Sequence, residues 1–170
     1  SVEGRSIQLL RIKGKAAVLD EASERVSRTR GLLVTGAVHG REWITAASVL
    51  YSAAKIIEQY GMPGSEALTE ALDHSVLHLI PIVNPDGYVY TWKTSNSVTM
   101  YRYRLGTHTG SNIPKPAPLS RLWRGNRRLM SNGQRGVDLN RNWGTDGTNW
   151  GSGVIRSKSA NFQGEGGFSE

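Results

Sequence analysis

The sequence predicts an α/β fold, a mixed and largely parallel sheet flanked by helices, on three observations. An apolar run, Leu32 to Val38, reads as a buried strand and hands over through His39 and Glu42 to a helical pattern that starts at Trp43. A second apolar run, Ser75 to Val83, has the same character and is closed by Asn84-Pro85-Asp86-Gly87. Helix-period segments lie between the runs, and strands that alternate with helices through short turns call for a sheet with parallel members.

In chain order, Glu3-Gly4-Arg5 leads into a strand, Ile7 to Ile12, and Lys13-Gly14-Lys15 makes a turn. Residues Asp20 to Arg30 are polar and charged and read as an exposed connection to the central strand, 32–38. Ile44, Ala47, Leu50, Tyr51, Ala54 and Ile57 recur in steps of three and four, which predicts a helix from about Trp43 to Tyr60. Gly61 ends it, with Pro63 just beyond. Ser65 is a candidate N-cap for a short helix through Leu72. After the strand Ser75–Val83, Asn84 to Gly87 has the residues a turn requires, and Tyr88 to Trp92 reads as a brief extended piece. Residues 93–120, with Pro114, Pro116 and Pro118, form a long loop. Loops of that length inside a compact domain usually serve a function or move. From Gly144 to Glu170 the chain is rich in Gly, Ser and Asn, with no periodicity to bury and no internal repeat.

One hundred and seventy residues suit a single domain or most of one. No stretch approaches a membrane span, and there is no cysteine for a disulfide or a thiolate site. Ser1 is not an initiator Met and no signal segment precedes the first strand, so the chain reads as a processed or excised segment. The net charge of +7 and pI near 10.0 raise an anionic partner. Arg121, Arg124, Arg127, Arg128, Arg135 and Arg141 crowd a stretch whose one acid is Asp138. Arginine suits bidentate recognition of carboxylate or phosphate, although most of these six read better as a solvated basic face. Arg102 and Arg104, interleaved with Tyr101 and Tyr103, could stack on nucleic-acid bases; an ordinary surface loop accounts for them better.

Chemistry concentrates at the strand-to-helix handover. Open α/β sheets bind ligands outside the carboxyl ends of their strands, and there His39 and Glu42 offer an imidazole and a carboxylate three residues apart. That donor pair points to a divalent metal, zinc first. The alternative is a solvated loop histidine beside an acid that favours the positive end of the helix dipole. His74 and His78, four residues apart, read as structural.

Three blocks stand in a fixed order: His39-Gly-Arg41-Glu42-Trp43, then Asn84-Pro85-Asp86-Gly87, then Trp123-Arg-Gly-Asn-Arg127 with Asp138-Leu-Asn140-Arg141-Asn142-Trp143. Together they resemble the zinc metallocarboxypeptidases of the carboxypeptidase A/B type. Glu3-Gly4-Arg5-Ser6-Ile7 resembles that family's second-strand entry, and Phe162-Gln-Gly164 with Phe168-Ser-Glu170 resembles the segment before its next helix, so residues 1–170 count as part of one catalytic domain. The resemblance implies that His39 and Glu42 are zinc ligands and that Asp138 orients His39. It implies that Arg127 polarises the scissile carbonyl, that Arg41 contacts the substrate chain upstream of the scissile bond, and that Asn140 and Arg141 grip the substrate's C-terminal carboxylate.

In the family a second histidine, a carboxylate-capping tyrosine and a general-base glutamate follow the segment that Phe168–Glu170 resembles. None of His74, His78, His108, Glu165 or Glu170 stands in a matching context. The expectation is therefore a catalytic domain cut at both ends. The isolated chain would be inactive and would hold metal poorly, and its sheet would expose an apolar edge. The complete protein is expected to carry one Zn2+, to take peptide or protein C-termini as substrate and to be secreted, with an inhibitory propeptide upstream in many relatives. A second chain completing the fold is open; a membrane or nucleic-acid partner is not expected. The competing reading is a catalytically inactive member, or a fragment that binds peptide C-termini or a partner chain.

Overall fold

The computed structural model describes residues 1–15, 30–93, 120–130, 133, 135–144, 160–164 and 166–170. The chain divides into two compact units: Ile7–Ala37 with Trp43–Val83, and Ser1–Ser6 with Val38–Glu42 and Asn84–Glu170.

The first unit contains the sheet. Its strands are β1 (Leu10–Lys13), β2 (Arg30–Thr35) and β3 (Ser75–Ile80), and its helices are α1 (Trp43–Gln59) and α2 (Glu66–Asp73). Strand order is β1-β3-β2, with β2 parallel to β3 and β1 antiparallel to it. The sheet is thus mixed, as its pattern of strands and helices foretold. The central strand, however, is β3 and not β2. Val76, Leu77 and Leu79 of β3 are buried, and Leu77 and Leu79 join Val49, Ala53 and Leu72 in the core, ringed by Ile12, Val34, Ile56, Tyr60 and Leu68.

Several sequence readings change here. The strand expected over 32–38 stops at Thr35, because Ala37 turns into positive φ (45°) and its N–H donates to Thr45 Oγ1 instead of a strand partner. β2 is not buried: Leu32 is 62% and Leu33 60% exposed. It lies at one side of the sheet, as the expected apolar edge does. Helix α1 keeps the predicted span, but its outward face is apolar too. Ala46, Val49 and Ala53 are buried, whereas Ile44, Ala47, Leu50, Tyr51, Ala54 and Ile57, which carried the helical pattern, are all exposed. At α2, Ser65 makes no side-chain cap; Glu66 Oε1 accepts from the Gly64 N–H, in the turn before the helix. His74 follows α2, its Nδ1 2.9 Å from the Glu70 carbonyl, and is not in the strand with His78.

The second unit holds α3 (Pro85–Lys93) and two single 3-10 turns, Ser120–Leu122 and Leu139–Arg141. The Asn84–Gly87 tetrapeptide is no reverse turn, and Tyr88–Trp92 is not extended: both belong to the start and body of α3. Asn84 Oδ1 accepts from the Gly87 N–H at 2.9 Å, the geometry of an N-cap. Pro85 fits the first helical position, where its missing N–H costs nothing, and Asp86 sits at the positive end of the helix. Asn84-Pro-Asp thus carries a helix-start signal along with a turn signal. The Gly144–Glu170 stretch does contribute to packing: Phe162 is buried with Met130 and Val137. The connection 16–29 and the loop 94–119, with Arg102, Arg104 and His108, lie outside the described residues.

Asp86 is 1% exposed and anchors the first residues of the chain. Ser1 Oγ, the Glu3 N–H and Arg5 Nη1 donate to it at 2.7, 2.8 and 2.7 Å. Burial pushes its carboxyl up; the Glu3 amide, the Arg5 guanidinium and the Ser1 hydroxyl outweigh that and hold it below the usual carboxylate range. A depressed folded pKa stabilises above the unfolded value and loses that contribution as pH falls through the folded one. Urea midpoints should therefore drop below about pH 4. Asp86→Asn should be less stable at neutral pH and show a shallower acid loss; an unchanged acid profile would remove Asp86 as a contributor.

Candidate metal and substrate site

The site lies within the second unit. Segment Val38–Glu42 is secured by backbone and amide contacts: the Gly40 N–H donates to the Arg124 carbonyl at 3.0 Å, and Asn84 Nδ2 donates to the carbonyls of Val38 and Gly125 at 3.2 and 3.0 Å. Gly40 lies so close to Gly87 that a Cβ on it would come within 2.5 Å of the Gly87 backbone. The spacing His39-Gly-Arg41-Glu42 therefore needs glycine at its second position for room.

His39 is 6% exposed, and both its ring nitrogens face carboxylates. Nδ1 lies 2.9 Å from Glu42 Oε1, and Nε2 lies 2.9 Å from Asp138 Oδ1. Asp138, 1% exposed, is the hub. Its Oδ2 accepts from Arg124 Nε at 2.8 Å, and its Oδ1 also accepts from the Asn140 N–H at 3.0 Å. Burial pushes the Asp138 carboxyl up; hydrogen bonds from Arg124 and His39, and their charge, prevail and keep it ionised below the ordinary range. Arg124 also reaches toward Glu42, Nη1 to Oε1 3.8 Å. One buried carboxylate thus aims His39 and caps the turn Leu139–Arg141, on which Asn140 and Arg141 are exposed.

The structure therefore brings His39, Glu42, Asp138 and Asn140 into one bonded chain, with Arg141 next on the same turn. Arg141 Nη1 donates to the Asn140 carbonyl at 2.8 Å. Arg41 is tied through its backbone carbonyl, which accepts from Arg121 Nη1 at 3.1 Å. Arg127 is held by other partners, the rings of Tyr90 and Trp123. Two residues escaped the sequence reading. Arg124 passed as one of six similar arginines, yet its side chain is only 12% exposed and braces Asp138. Asn84 passed as a turn former, yet its amide pins the His39 segment.

As donors, His39 Nδ1 and Glu42 Oε1 suit zinc, which takes imidazole and carboxylate together. The Asp138–His39 contact is the outer support that zinc histidines commonly have. Among the described residues no cluster of three or more His, Cys, Asp or Glu side chains forms a complete metal site. The pair fits as part of a zinc centre.

The chain belongs to the zinc carboxypeptidase family, whose model matches residues 1–170. It is 33% identical over 99% of its length to the "Inactive metallocarboxypeptidase ECM14" of Arthroderma otae and 35% identical over 99% to that of Uncinocarpus reesii. It spans only 23% and 24% of those two proteins. Among solved structures it matches thrombin activatable fibrinolysis inhibitor (TM-score 0.67, 25% identity) and the carboxypeptidase A of Helicoverpa armigera (TM-score 0.63, 28% identity). Those matches cover all of this chain and 34% and 32% of the other chains. The metallocarboxypeptidase-like mixed α/β fold expected from the sequence is therefore the fold observed.

Proposed function

We propose that the full-length protein containing this chain is a zinc-dependent carboxypeptidase that removes single residues from the C-termini of peptides and proteins. The observation that carries the reading is the double role of Asp138: one buried carboxylate orients the candidate zinc histidine and caps the turn bearing Asn140 and Arg141. Metal donors and carboxylate-binding groups are thereby built as one piece, as an exopeptidase requires.

His39 and Glu42 would hold zinc together with a ligand from outside the described residues. In such a setting zinc supplies Lewis-acid polarisation and lowers the pKa of water toward about 7. The chain's own residues do the rest. Arg141 offers two parallel donors to a free carboxylate and Asn140 an amide beside it, which selects the chain end over internal bonds. Arg127 places positive charge for the oxygen that becomes anionic as water adds to the scissile carbonyl. Asp138 keeps the His39 ring fixed so that Nδ1 stays available. Secretion belongs to the same reading.

The second reading, a non-catalytic member that binds peptide C-termini, draws on the relatives named inactive. One experiment separates them: hydrolysis of N-blocked dipeptides by the zinc-loaded full-length protein and its Arg141→Ala variant. The carboxypeptidase reading expects turnover in the parent and a fall of about 100-fold or more in kcat/KM in the variant, since a charge-assisted bidentate pair is lost. Normal turnover by Arg141→Ala would remove the carboxylate clamp. No turnover by the parent, with peptide binding retained, would establish the second reading.

A further inference from the structure

At Asn140 every polar group except the side-chain nitrogen is already spent. The backbone N–H donates to Asp138 Oδ1 at 3.0 Å, the backbone carbonyl accepts from Arg141 Nη1 at 2.8 Å, and Oδ1 accepts from Trp143 Nε1 at 3.2 Å. Nδ2 donates to no described residue. Asn140 and Arg141 are both exposed. To an approaching anion, Asn140 therefore offers donors and no acceptor.

The indole contact decides which end of the amide is free. A carboxamide accepts at one end and donates at the other, whereas an indole N–H can only donate. Trp143 therefore takes Oδ1 and leaves Nδ2 as the outward end. With the amide reversed, a carboxylate arriving at Arg141 would meet a lone pair where it needs an N–H, and one hydrogen bond would be lost.

The Trp143 ring is held although it is 58% exposed. It meets Phe168 edge to face, ring centres 6.1 Å apart at 87°. Phe168 is set there by the backbone. It adopts φ 51°, a left-handed conformation uncommon for a residue with a side chain, and its N–H donates to the Asn142 carbonyl at 2.7 Å. Gly144 makes room, since a Cβ on it would come within 2.5 Å of the Phe168 ring. Asn142, 5% exposed, ties the two segments together: Nδ2 donates to the carbonyls of Gln163 and Gly166, both at 2.8 Å, and Oδ1 accepts from the Glu170 N–H at 3.2 Å. The segment around Phe168 thus supports the ring that orients the Asn140 amide.

We propose that Trp143 is a positioning residue for substrate binding: by holding Asn140 Oδ1 it commits the amide nitrogen, beside Arg141, to the substrate's C-terminal carboxylate. The inference rests on the carboxypeptidase reading for the identity of that anion, but binding alone tests it. The probes are N-acetylphenylalanine, N-acetylleucine and N-acetylarginine, each as the free acid and as the primary amide. Their affinities are measured by calorimetry on the zinc-loaded full-length protein and its variants, and KM and kcat on the blocked dipeptides are measured alongside. The primary amide is the control, because it can pair with the Asn140 side chain in either orientation.

Trp143→Phe removes the N–H and keeps a ring against Phe168. It should weaken the acid that binds best by about 2- to 10-fold, the worth of one hydrogen bond, and leave the matching amide unchanged. KM should rise by a similar factor, kcat should change less, and the unfolding midpoint should stay in place. In an Asn140→Ala background the substitution should add no further loss, as expected for a group acting through one residue. Equal weakening of acid and amide would overturn the inference, as would unaltered acid binding or a full loss in the Asn140→Ala background. A parent that binds acid and amide alike would remove the carboxylate clamp and this inference with it. If binding follows the prediction and the parent shows no turnover, the orienting role of Trp143 stands and the catalytic reading falls.

Discussion

Replacing Arg127 with alanine in the zinc-loaded full-length protein is expected to lower kcat by about 100- to 1,000-fold, the cost of losing one donor aimed at a developing oxyanion. The carboxypeptidase reading explains why the loss should fall on kcat. A donor that meets the scissile oxygen as it becomes anionic makes its bond in the transition state. Interactions gained only in the transition state lower kcat when removed, whereas uniform binding lowers affinity. Steady-state kinetics on a blocked dipeptide gives the answer directly, and a raised KM with unchanged kcat would reassign Arg127 to substrate binding. Stability should change little by comparison, since the arginine leaves no charged partner stranded: Glu3 keeps Arg5.

Asp138→Ala carries the largest expected effect on stability, a loss of about 3–5 kcal/mol, the range for removing one member of a buried ion pair. The residue is 1% exposed and serves three donors at once: Arg124 Nε, the His39 ring and the Asn140 amide. Truncation strands the Arg124 guanidinium, with Glu42 at 3.8 Å as a distant substitute. Zinc affinity should also fall by about 10- to 100-fold, as it does when the outer partner of a metal histidine is lost. Denaturant unfolding and metal competition test the two parts separately. Full zinc affinity in a destabilised Asp138→Ala protein would confine Asp138 to a structural role.

Much of this arrangement was legible in the sequence, and the misreadings have physical causes. The handover from strand to helix at His39–Glu42 and the span of α1 rest on local signals of strand run, helical period and residue chemistry. The Asn84–Gly87 reading failed because Asn, Pro and Asp serve a turn and a helix start alike; what decides is the Asn84 side chain bonding to Gly87. The buried face of α1 was not legible because the helix is apolar on two sides. Periodicity finds such a stripe, but tertiary packing chose the smaller Ala46, Val49 and Ala53 to lie inside. Arg124 could not be told from Arg121 or Arg128 by type. Only the fold, which buries it against Asp138, separates them.

The shared duty of Asp138 bears on how such proteins diverge. A lineage that gave up peptide cleavage would be released from selection on its metal donors, yet the Arg124 guanidinium and the turn at Leu139–Arg141 would still require an acid at this position. Its persistence in a relative therefore testifies first to inherited architecture, and retained chemistry is read from the metal donors and carboxylate-binding groups that it positions. The residues that record whether an ancestral activity survives are those with no second duty in the fold, and the exposed Arg141 side chain is the first of these to inspect.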